Sequence, residues 1–191
     1  GYVHQGQPEG GTVYFSAADE HGNVVSLIES VFMPFGSGIT AGDTGIMLQN
    51  RGALASLDSQ HPNALEPGKR PYHTILPAMA FRNGLPWMSF GMVGGFMQPQ
   101  GHLQMMSNII DHGMDVQEAI EAPRFRYFDG LRVALEEGIA AETRDKLASM
   151  GHEIITGDNY FGGAQAIMIN CHSGVLLGGS DPRKDGCAEG Y

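Results

Sequence analysis

The sequence of 191 residues contains little cysteine, little positive charge and no long apolar run. Its two cysteines, Cys171 and Cys187, are too few for a disulfide framework or for a zinc site made of four cysteines. Two free, buried thiols are the favoured interpretation, and a single disulfide is the alternative. Since no run of about twenty apolar residues occurs, no membrane-spanning helix is predicted.

Positive charge is scarce, because 11 lysines and arginines stand against 21 aspartates and glutamates and leave a formal net charge of −10. An acidic chain without a basic run repels phosphate backbones, so nucleic acid is not an expected partner. Charged residues make up 17% of the chain and hydrophobic residues 42%, which excludes a disordered acidic tail and predicts a folded core.

Metal-binding patterns are missing as well. The eight histidines include no H-x-x-x-H or H-E-x-x-H arrangement, so no metal site is predicted. His102 and His112 are interpreted as surface or helix-end residues. The pair Glu136 and Glu137, which precedes Gly138, is interpreted as a solvent-exposed turn.

Glycine, in contrast, is in excess, with 28 residues where a usual share is about 7%. Without a collagen-like period, these glycines are expected in tight turns and where backbones approach closely. Residues 35–45 contain four of them and are predicted to form a loop. The first residue is Gly1 rather than Met, which favours a processed piece of a longer protein. Residues 1–11 are interpreted as a flexible arm and residues 12–191 as one folded domain.

Hydrophobic periodicity and turn residues predict strand pairs separated by helices. Asn83-Gly84 is expected to connect one pair of strands, and Asp115 is a good N-cap for a short helix that stops at Pro123. Helices grouped between antiparallel strands indicate a layered α+β fold rather than a doubly wound parallel sheet. Four methionines are expected to fill the core: Met92, Met97, Met105 and Met106. The predicted strands are residues 12–18, 24–29, 75–81, 86–90, 131–135, 164–170 and 175–179, and the predicted helices are residues 98–112, 116–122 and 140–150.

Two segments allow a catalytic interpretation beside a structural one. Residues 91–95 (GMVGG) lie between a predicted strand and a predicted helix, where consecutive glycines fit an oxyanion hole and equally a tight turn. Thr12 follows Gly11 at the beginning of the first strand, either as a strand-forming residue or as a nucleophile freed by cleavage of the Gly11–Thr12 bond. The pattern alone leaves both alternatives open for each segment.

Several segments, taken in order, resemble the small subunit of the gamma-glutamyltransferase family, which belongs to the N-terminal-nucleophile hydrolases. The resemblance covers residues 11–191, and it is the order and spacing of the segments, rather than any one of them, that is specific. The segments are residues 12–23 (TVYFSAADEHGN), 35–38 (FGSG), 45–52 (GIMLQNRG), 67–71 (PGKRP), 94–101 (GGFMQPQG), 121–124 (EAPR) and 180–191 (SDPRKDGCAEGY).

The resemblance implies a layered αββα sandwich completed by a larger partner chain, the large subunit cut from the same precursor. It implies autoproteolysis between Gly11 and Thr12, after which Thr12 is both the N-terminus and the nucleophile. Ser30 stands where the family usually has a second threonine that supports the nucleophile, and Gly94 and Gly95 match the glycines of the oxyanion hole. The implied substrate is a small-molecule amide, no cofactor is implied, and a dimer of two such heterodimers is compatible with the resemblance.

At the substrate-binding positions the sequence departs from the familiar members. Phe32, Arg51 and Leu54 stand where those members have Asn, Gln and Asp, and His73 and Thr74 replace a pair of serines. Leu54 cannot pair with an ammonium group, whereas Arg51 can bind a carboxylate through two parallel hydrogen bonds. These changes favour a carboxylate-bearing acyl group without an α-amine, such as glutaryl, as in the cephalosporin-acylase-like branch.

The resulting hypothesis is an acyltransferase or hydrolase that cleaves gamma-glutamyl (glutathione-type) or related glutaryl amides through an acyl-threonine intermediate. A glutaryl-cephalosporin acylase-type amidohydrolase is one alternative. A non-catalytic structural or binding relative with a degenerate donor pocket is the other.

Overall fold

The computed structural model describes residues 11–157 and 161–191, and in these it contains nine strands and three helices. Residues 1–10 of the expected arm lie outside the described residues. The strands are β1 (Thr12–Ala18), β2 (Val24–Ser30), β3 (Ala78–Arg82), β4 (Leu85–Val93), β5 (Phe125–Tyr127), β6 (Arg132–Leu135), β7 (Glu153–Ile155), β8 (Gly163–Ile169) and β9 (Leu176–Ser180). The helices are α1 (Gln98–Ile110), α2 (Val116–Glu121) and α3 (Ala141–Ser149), and short 3-10 turns cover Arg51–Leu54 and Gly95–Met97.

The largest sheet has four antiparallel strands in the order β3-β4-β8-β9. Strand β4 is buried on both faces, which explains its nearly unbroken apolar run. Phe90 and Met92 of β4 face α1, while Ser89 and Gly91 face the hairpin β1–β2. The hairpin, the sheet and the pair of helices α1 and α2 therefore form three layers, which confirms the layered α+β arrangement.

The main core lies between this sheet and helices α1 and α2. Met92, Met97 and Met105 are buried there and Met106 packs beside them, as expected for methionines that fill the core. Burying a side chain of this size stabilises a fold by about 1.5–3 kcal/mol relative to leaving it exposed. The other buried members of the cluster are Trp87, Met88, Phe90, Ile109, Val116, Ala119, Ile120, Ala164 and Ala166.

A second, smaller sheet has the order β5-β6-β7, with β5 and β6 antiparallel and β6 and β7 parallel. Helix α3 packs against β7 but buries none of its residues, so the amphipathic helix expected over residues 140–150 has no buried face. Strands β5 and β7 contain three residues each, and a strand so short shows no readable period in the sequence.

Two local predictions rest on turn and cap chemistry and are confirmed. Asp115 caps α2 in a capping box: its carboxylate accepts from the Glu118 backbone N–H at 2.8 Å, and the Glu118 carboxylate accepts from the Asp115 N–H at 2.9 Å. Asn83 and Gly84 connect β3 to β4 with positive φ angles of 52° and 80°, as an Asn-Gly hairpin requires. Across residues 11–157 and 161–191, no helix has both the length and the apolar character to cross a membrane.

The expectation of buried thiols is wrong, because Cys171 and Cys187 are both free and exposed. Cys171 lies in the turn between β8 and β9, and Cys187 lies four residues before the last residue of the chain. Neither position has a core to pack against.

His102 and Glu136, both expected at the surface, are half-buried, so these two interpretations are wrong, whereas His112 and Glu137 are exposed as expected. His102 packs its ring edge-on to Phe90, with 5.0 Å between the centroids, and burial lowers the pKa of His102 to about 4. Glu136 accepts hydrogen bonds from the Arg183 side chain, at 2.6 Å, and from the Arg124 backbone N–H, at 2.7 Å. Both partners are distant in sequence, so local composition does not reveal them.

Candidate active site

The hydroxyl groups of Thr12 and Ser30 lie opposite each other at one end of the hairpin β1–β2. The antiparallel register pairs Thr12 with Ser30, and the two hydroxyl oxygens are 2.8 Å apart. The Ser30 oxygen also accepts from the Phe32 backbone N–H at 2.9 Å. A backbone donor thus fixes Ser30, and Ser30 fixes the hydroxyl of Thr12.

Gly11 extends the backbone hydrogen bonding between β1 and β2 by one residue. Its carbonyl oxygen accepts from the Val31 backbone N–H at 3.0 Å. A Cβ at position 11 would lie 2.5 Å from the Val31 Cγ2 atom, so the close packing here favours glycine. The carbonyl that precedes Thr12 is therefore held by a backbone donor next to the Thr12–Ser30 pair.

Tyr14 packs the hairpin β1–β2 against strand β4. Its ring covers Gly91, where a Cβ would come within 2.3 Å of the ring carbons. Its hydroxyl lies 2.8 Å from the Ser26 hydroxyl and 3.2 Å from the Ser89 hydroxyl, and Ser89 donates to the Val25 carbonyl at 3.1 Å. The strand that begins with Thr12 is thereby packed alongside the strand that leads to Gly94.

Gly94 and Gly95 form the turn between β4 and α1. Their φ angles are +128° and +57°, a region that side-chain-bearing residues rarely adopt. A Cβ on Gly94 would also lie 2.9 Å from the Cα of Gly162. The turn leads through Gly95–Met97 into the N-terminus of α1, where backbone N–H groups favour a nearby negative charge. Two backbone amides in such a turn can stabilise an oxyanion.

Arg51, Thr74 and Phe32, three of the four expected substrate-binding residues, come together in the structure. The Arg51 side chain is 3% exposed, its Nη1 donates to the Thr74 hydroxyl at 2.7 Å, and its Cζ lies 4.9 Å from the centre of the Phe32 ring. Phe32 has a φ of +75°, which is strained for an aromatic residue. Burial lowers the pKa of Arg51.

The guanidinium of Arg51 has an amino group, Nη2, that is buried and is not used in a hydrogen bond among the described residues. Within residues 11–157 and 161–191, Arg51 also takes part in no ion pair. A buried cation without a counter-ion is costly, and such groups are usually paired. The Nη2 group of Arg51 is thus open to an anionic partner from outside the described residues.

The fourth expected binding residue, His73, lies outside this cluster, and Leu54, another position at which the sequence departs from the family, adds no polar group. His73 is exposed beside the buried Thr74 and does not join the cluster. Leu54 ends the 3-10 turn that Arg51 begins and, with Arg51 and Tyr72, lines a small cavity of about 60 Å³. An apolar side chain at this place offers no partner for an ammonium group.

Sequence reasoning missed two side chains that hold this region together, Tyr14 and Gln98. The Gln98 side chain is fully buried at the beginning of α1 and accepts from the Leu76 backbone N–H at 2.9 Å. A buried glutamine in an otherwise apolar helix face leaves no signal in the hydrophobic pattern. Tyr14 looks like an ordinary strand residue, because its partners Ser89 and Gly91 are distant in sequence.

A cavity of about 770 Å³, larger than the one beside Leu54, lies elsewhere and is lined by none of the site residues. It borders Glu136, Arg144 and Arg183, close to a buried ion network. In that network Asp181 pairs with Arg124 at 2.7 Å and with Arg183 at 3.1 Å. The charges of the network are therefore already paired with one another. Within residues 11–157 and 161–191, no three histidine, cysteine or acidic side chains are placed to hold a metal ion.

Comparison with known proteins gives consistent matches over nearly the whole chain. The sequence model of the gamma-glutamyltranspeptidase family matches residues 1–191. A glutathione hydrolase-like YwrD proenzyme from Bacillus subtilis is 43% identical over 94% of this chain, and an oxamate amidohydrolase proenzyme from Klebsiella pneumoniae is 38% identical over 97%. The crystal structure of a cephalosporin acylase from Bacillus halodurans superposes with a TM-score of 0.86 at 44% identity and 93% coverage of this chain.

The chain spans only about a third of these proteins. It covers 35% and 37% of the two curated relatives and 34% of the cephalosporin acylase chain.

Proposed function

The chain belongs to the gamma-glutamyltranspeptidase family and has its α+β N-terminal-nucleophile hydrolase fold, and from this we propose that it supplies the nucleophile and oxyanion groups of an amide-cleaving acyltransferase or hydrolase. Thr12 is the nucleophile, and the acyl group carries a carboxylate. Because the chain spans about a third of its relatives, the rest of the enzyme is a large subunit from the same precursor.

The observation that carries this proposal is the 2.8 Å contact between the Thr12 and Ser30 hydroxyls. A hydroxyl at the first position of a strand, held by a second hydroxyl that is itself fixed by a backbone N–H, has the restricted geometry that a nucleophile needs. Thr12 is here joined to Gly11 by a peptide bond and has no free amine, so cleavage of that bond must come first.

In the cleavage step, the Thr12 hydroxyl attacks the Gly11 carbonyl carbon. The Gly11–Thr12 C–N bond breaks and the proton of the hydroxyl passes to the Thr12 nitrogen, which leaves an ester between Gly11 and the Thr12 oxygen. Water hydrolyses the ester to a Gly11 carboxylate and restores the hydroxyl. The Val31 N–H, 3.0 Å from the Gly11 oxygen, stabilises the charge that develops on that oxygen.

In the catalytic cycle, the freed amine of Thr12 takes the proton from its own hydroxyl, which attacks the carbonyl of the substrate amide. The backbone N–H groups of Gly94 and Gly95 stabilise the oxyanion. The C–N bond of the substrate then breaks, the proton goes to the leaving amine, and an acyl-threonine ester remains. Water or an acceptor amine removes the acyl group and restores Thr12.

Arg51 selects the acyl group by its charge. Its unused Nη2 donor and its buried position fit the carboxylate at the far end of a glutaryl or gamma-glutamyl chain. Leu54 offers no charge for an α-ammonium group, which favours glutaryl over gamma-glutamyl. A relative named for oxamate, an amide with a carboxylate and no amine, is consistent with this choice.

The test is made on the full-length natural protein and its Thr12→Ala variant. We expect intact-mass analysis to show a chain that begins at Thr12 in the wild type and no cleavage in the variant. We also expect release of p-nitroaniline from glutaryl-p-nitroanilide, faster than from the gamma-glutamyl compound, and no release by the variant. Cleavage elsewhere than at Gly11–Thr12, or turnover that survives Thr12→Ala, contradicts the proposal. A correctly cleaved protein that turns over neither compound supports the non-catalytic relative.

A further inference from the structure

Residues 71–77, which carry His73 and Thr74, form neither a helix nor a strand. Thr74 nevertheless has to hold a fixed place, because its hydroxyl accepts the hydrogen bond from Arg51 Nη1 at 2.7 Å. Some other element must therefore fix this segment.

The segment is fixed at both ends to the turn that follows Gly94 and Gly95. Before Thr74, the ring of Tyr72 stacks on Phe96, with 6.1 Å between the centroids and 26° between the planes. After Thr74, the Leu76 backbone N–H donates to the Gln98 side chain at 2.9 Å. Phe96 and Gln98 lie one and three residues beyond Gly95, so the segment that holds Thr74 is attached to the stretch that directly follows the turn of Gly94 and Gly95.

Gln98 is unusual for a residue in the core. Its side chain is fully buried, and its Nε2 has no hydrogen-bond partner among the described residues. A backbone N–H can only donate, so the atom that faces Leu76 is the amide oxygen. Leaving a buried amide half satisfied is unfavourable, and an apolar residue of similar size would avoid this cost. The glutamine accepts a hydrogen bond from the Leu76 backbone N–H, which an apolar residue cannot do.

We propose that Gln98 is a positioning residue for the acyl-carboxylate site: through Leu76 it fixes Thr74, and through Thr74 it orients the guanidinium of Arg51. The inference rests on the proposed function in that Arg51 binds the carboxylate of the acyl group. Gln98 itself touches no reacting atom. Its loss should weaken carboxylate binding and leave the chemical step nearly unchanged.

The experiment compares Gln98→Met, which keeps the length of the side chain but removes the acceptor, with the wild type in the full-length protein. The control is Gln104→Leu on the same helix, whose side chain bonds to Phe125 instead. We expect Gln98→Met to raise KM for glutaryl-p-nitroanilide about tenfold and kcat to change less than about threefold. Calorimetry should show a similar increase in the Kd of glutarate. The control variant should match the wild type in both.

A second arm removes the target of the proposed effect. In an Arg51→Met background, adding Gln98→Met should change KM less than about twofold, because Gln98 affects carboxylate binding only through Arg51. A fall in kcat with unchanged KM, or an equal rise in KM for the uncharged pentanoyl-p-nitroanilide, overturns the inference. If Gln98→Met does not fold, Leu76→Pro removes the same hydrogen bond by removing its donor. This variant should likewise raise KM and leave kcat nearly unchanged.

The proposed function and the role of Gln98 fail in different ways. If the wild type binds glutarate but turns over no anilide, the proposed catalytic function is wrong, and the Kd of glutarate in the variants still tests Gln98. If the wild type turns over the anilide and Gln98→Met leaves both KM and Kd unchanged, the inference alone is wrong. If the wild type neither binds glutarate nor turns over the anilide, both are wrong.

Discussion

The Thr12 hydroxyl lies 2.8 Å from the Ser30 hydroxyl, and Ser30 is held in turn by the Phe32 backbone N–H at 2.9 Å. Replacing Ser30 by alanine leaves the Thr12 hydroxyl free to rotate. A hydrogen bond of this kind contributes about 0.5–1.5 kcal/mol, so we expect kcat for glutaryl-p-nitroanilide to fall about two- to tenfold. Ser30→Thr keeps the oxygen and is the matched control, with kcat close to that of the wild type. Equal kcat values for Ser30→Ala and the wild type would show that the contact does not assist Thr12.

Arg51 offers a buried donor without a partner among the described residues, so its removal should be specific for charged substrates. A hydrogen bond to a charged group contributes about 1.5–3 kcal/mol, and Arg51→Met should therefore raise KM for glutaryl-p-nitroanilide by about 10- to 100-fold. The KM for the uncharged pentanoyl compound should not change. Arg132→Met is the control for loss of a positive charge, since the Arg132 side chain is partly exposed and pairs with Asp129 at the surface. Equal effects of Arg51→Met on both compounds would show that Arg51 acts through the fold and not through the carboxylate.

Gly94 should tolerate no side chain. Its φ is +128°, and a Cβ there would lie only 2.9 Å from the Cα of Gly162, so Gly94→Ala must move the turn that carries the proposed oxyanion donors. Loss of one such donor typically lowers kcat by about 10²- to 10³-fold. Gly113→Ala is the control, since Gly113 has a φ of +70° but open space around it. Steady-state kinetics should show the loss in the first variant alone.

The pair Arg124–Asp181 is buried, with side chains 3% and 0% exposed and 2.7 Å apart. Removing one partner of such a pair leaves an uncompensated buried charge, so Asp181→Ala should lower the free energy of unfolding by about 3–5 kcal/mol. Asp129, which pairs with Arg132 at the surface, gives the control: Asp129→Ala should cost about 1 kcal/mol or less. Urea unfolding measures both. Similar losses in the two variants would mean that the buried network contributes no more than a surface pair.

His102 should give the protein a pH-dependent stability. Its pKa in the folded state is about 4, below the ordinary value of 6.5, because burial disfavours the charged ring. The unfolded chain therefore takes up the proton first as the pH falls, and the free energy of unfolding decreases from about pH 6.5 down to about pH 4. Between about pH 7.5 and about pH 5 the decrease due to His102 is about 2 kcal/mol.

The check is urea unfolding of the wild type and His102→Gln at these two pH values. The variant has no imidazole to titrate at this position, so its stability should fall less over the same interval. His172→Gln, in an exposed turn, should keep the pH dependence of the wild type. An unchanged dependence in His102→Gln would show that other groups cause it.

The sequence predicts those parts of the fold whose signals are local. The strands β1 and β2 follow from β-branched and aromatic residues on each side of the turn at residues 19–23, and that turn sets the register that places Thr12 opposite Ser30. Helix α2 follows from the capping box of Asp115 and Glu118. The core methionines follow from the flexible, apolar side chain of methionine, which fills gaps between packed elements.

What the sequence does not reveal depends on contacts between distant residues. The partial burial of Glu136 depends on Arg183, 47 residues away, and the partial burial of His102 depends on packing against Phe90. Gln98 looks like an ordinary polar helix residue until its bond to Leu76, 22 residues earlier, is seen. The cluster of Phe32, Arg51 and Thr74 is expected only from the family resemblance, because no local pattern brings three such different residues together.

The packing of Tyr14 on Gly91 also bears on when the site is assembled. The ring fills the space that a Cβ of residue 91 would need, and the Tyr14 hydroxyl is shared between Ser26 and Ser89. Ring packing and hydrogen bonds together therefore hold the hairpin that begins with Thr12 on the sheet that leads to Gly94. The proposed nucleophile, Thr12, and the proposed oxyanion donors, the backbone amides of Gly94 and Gly95, are positioned during folding, so the arrival of a substrate does not have to reorganise this half of the proposed site.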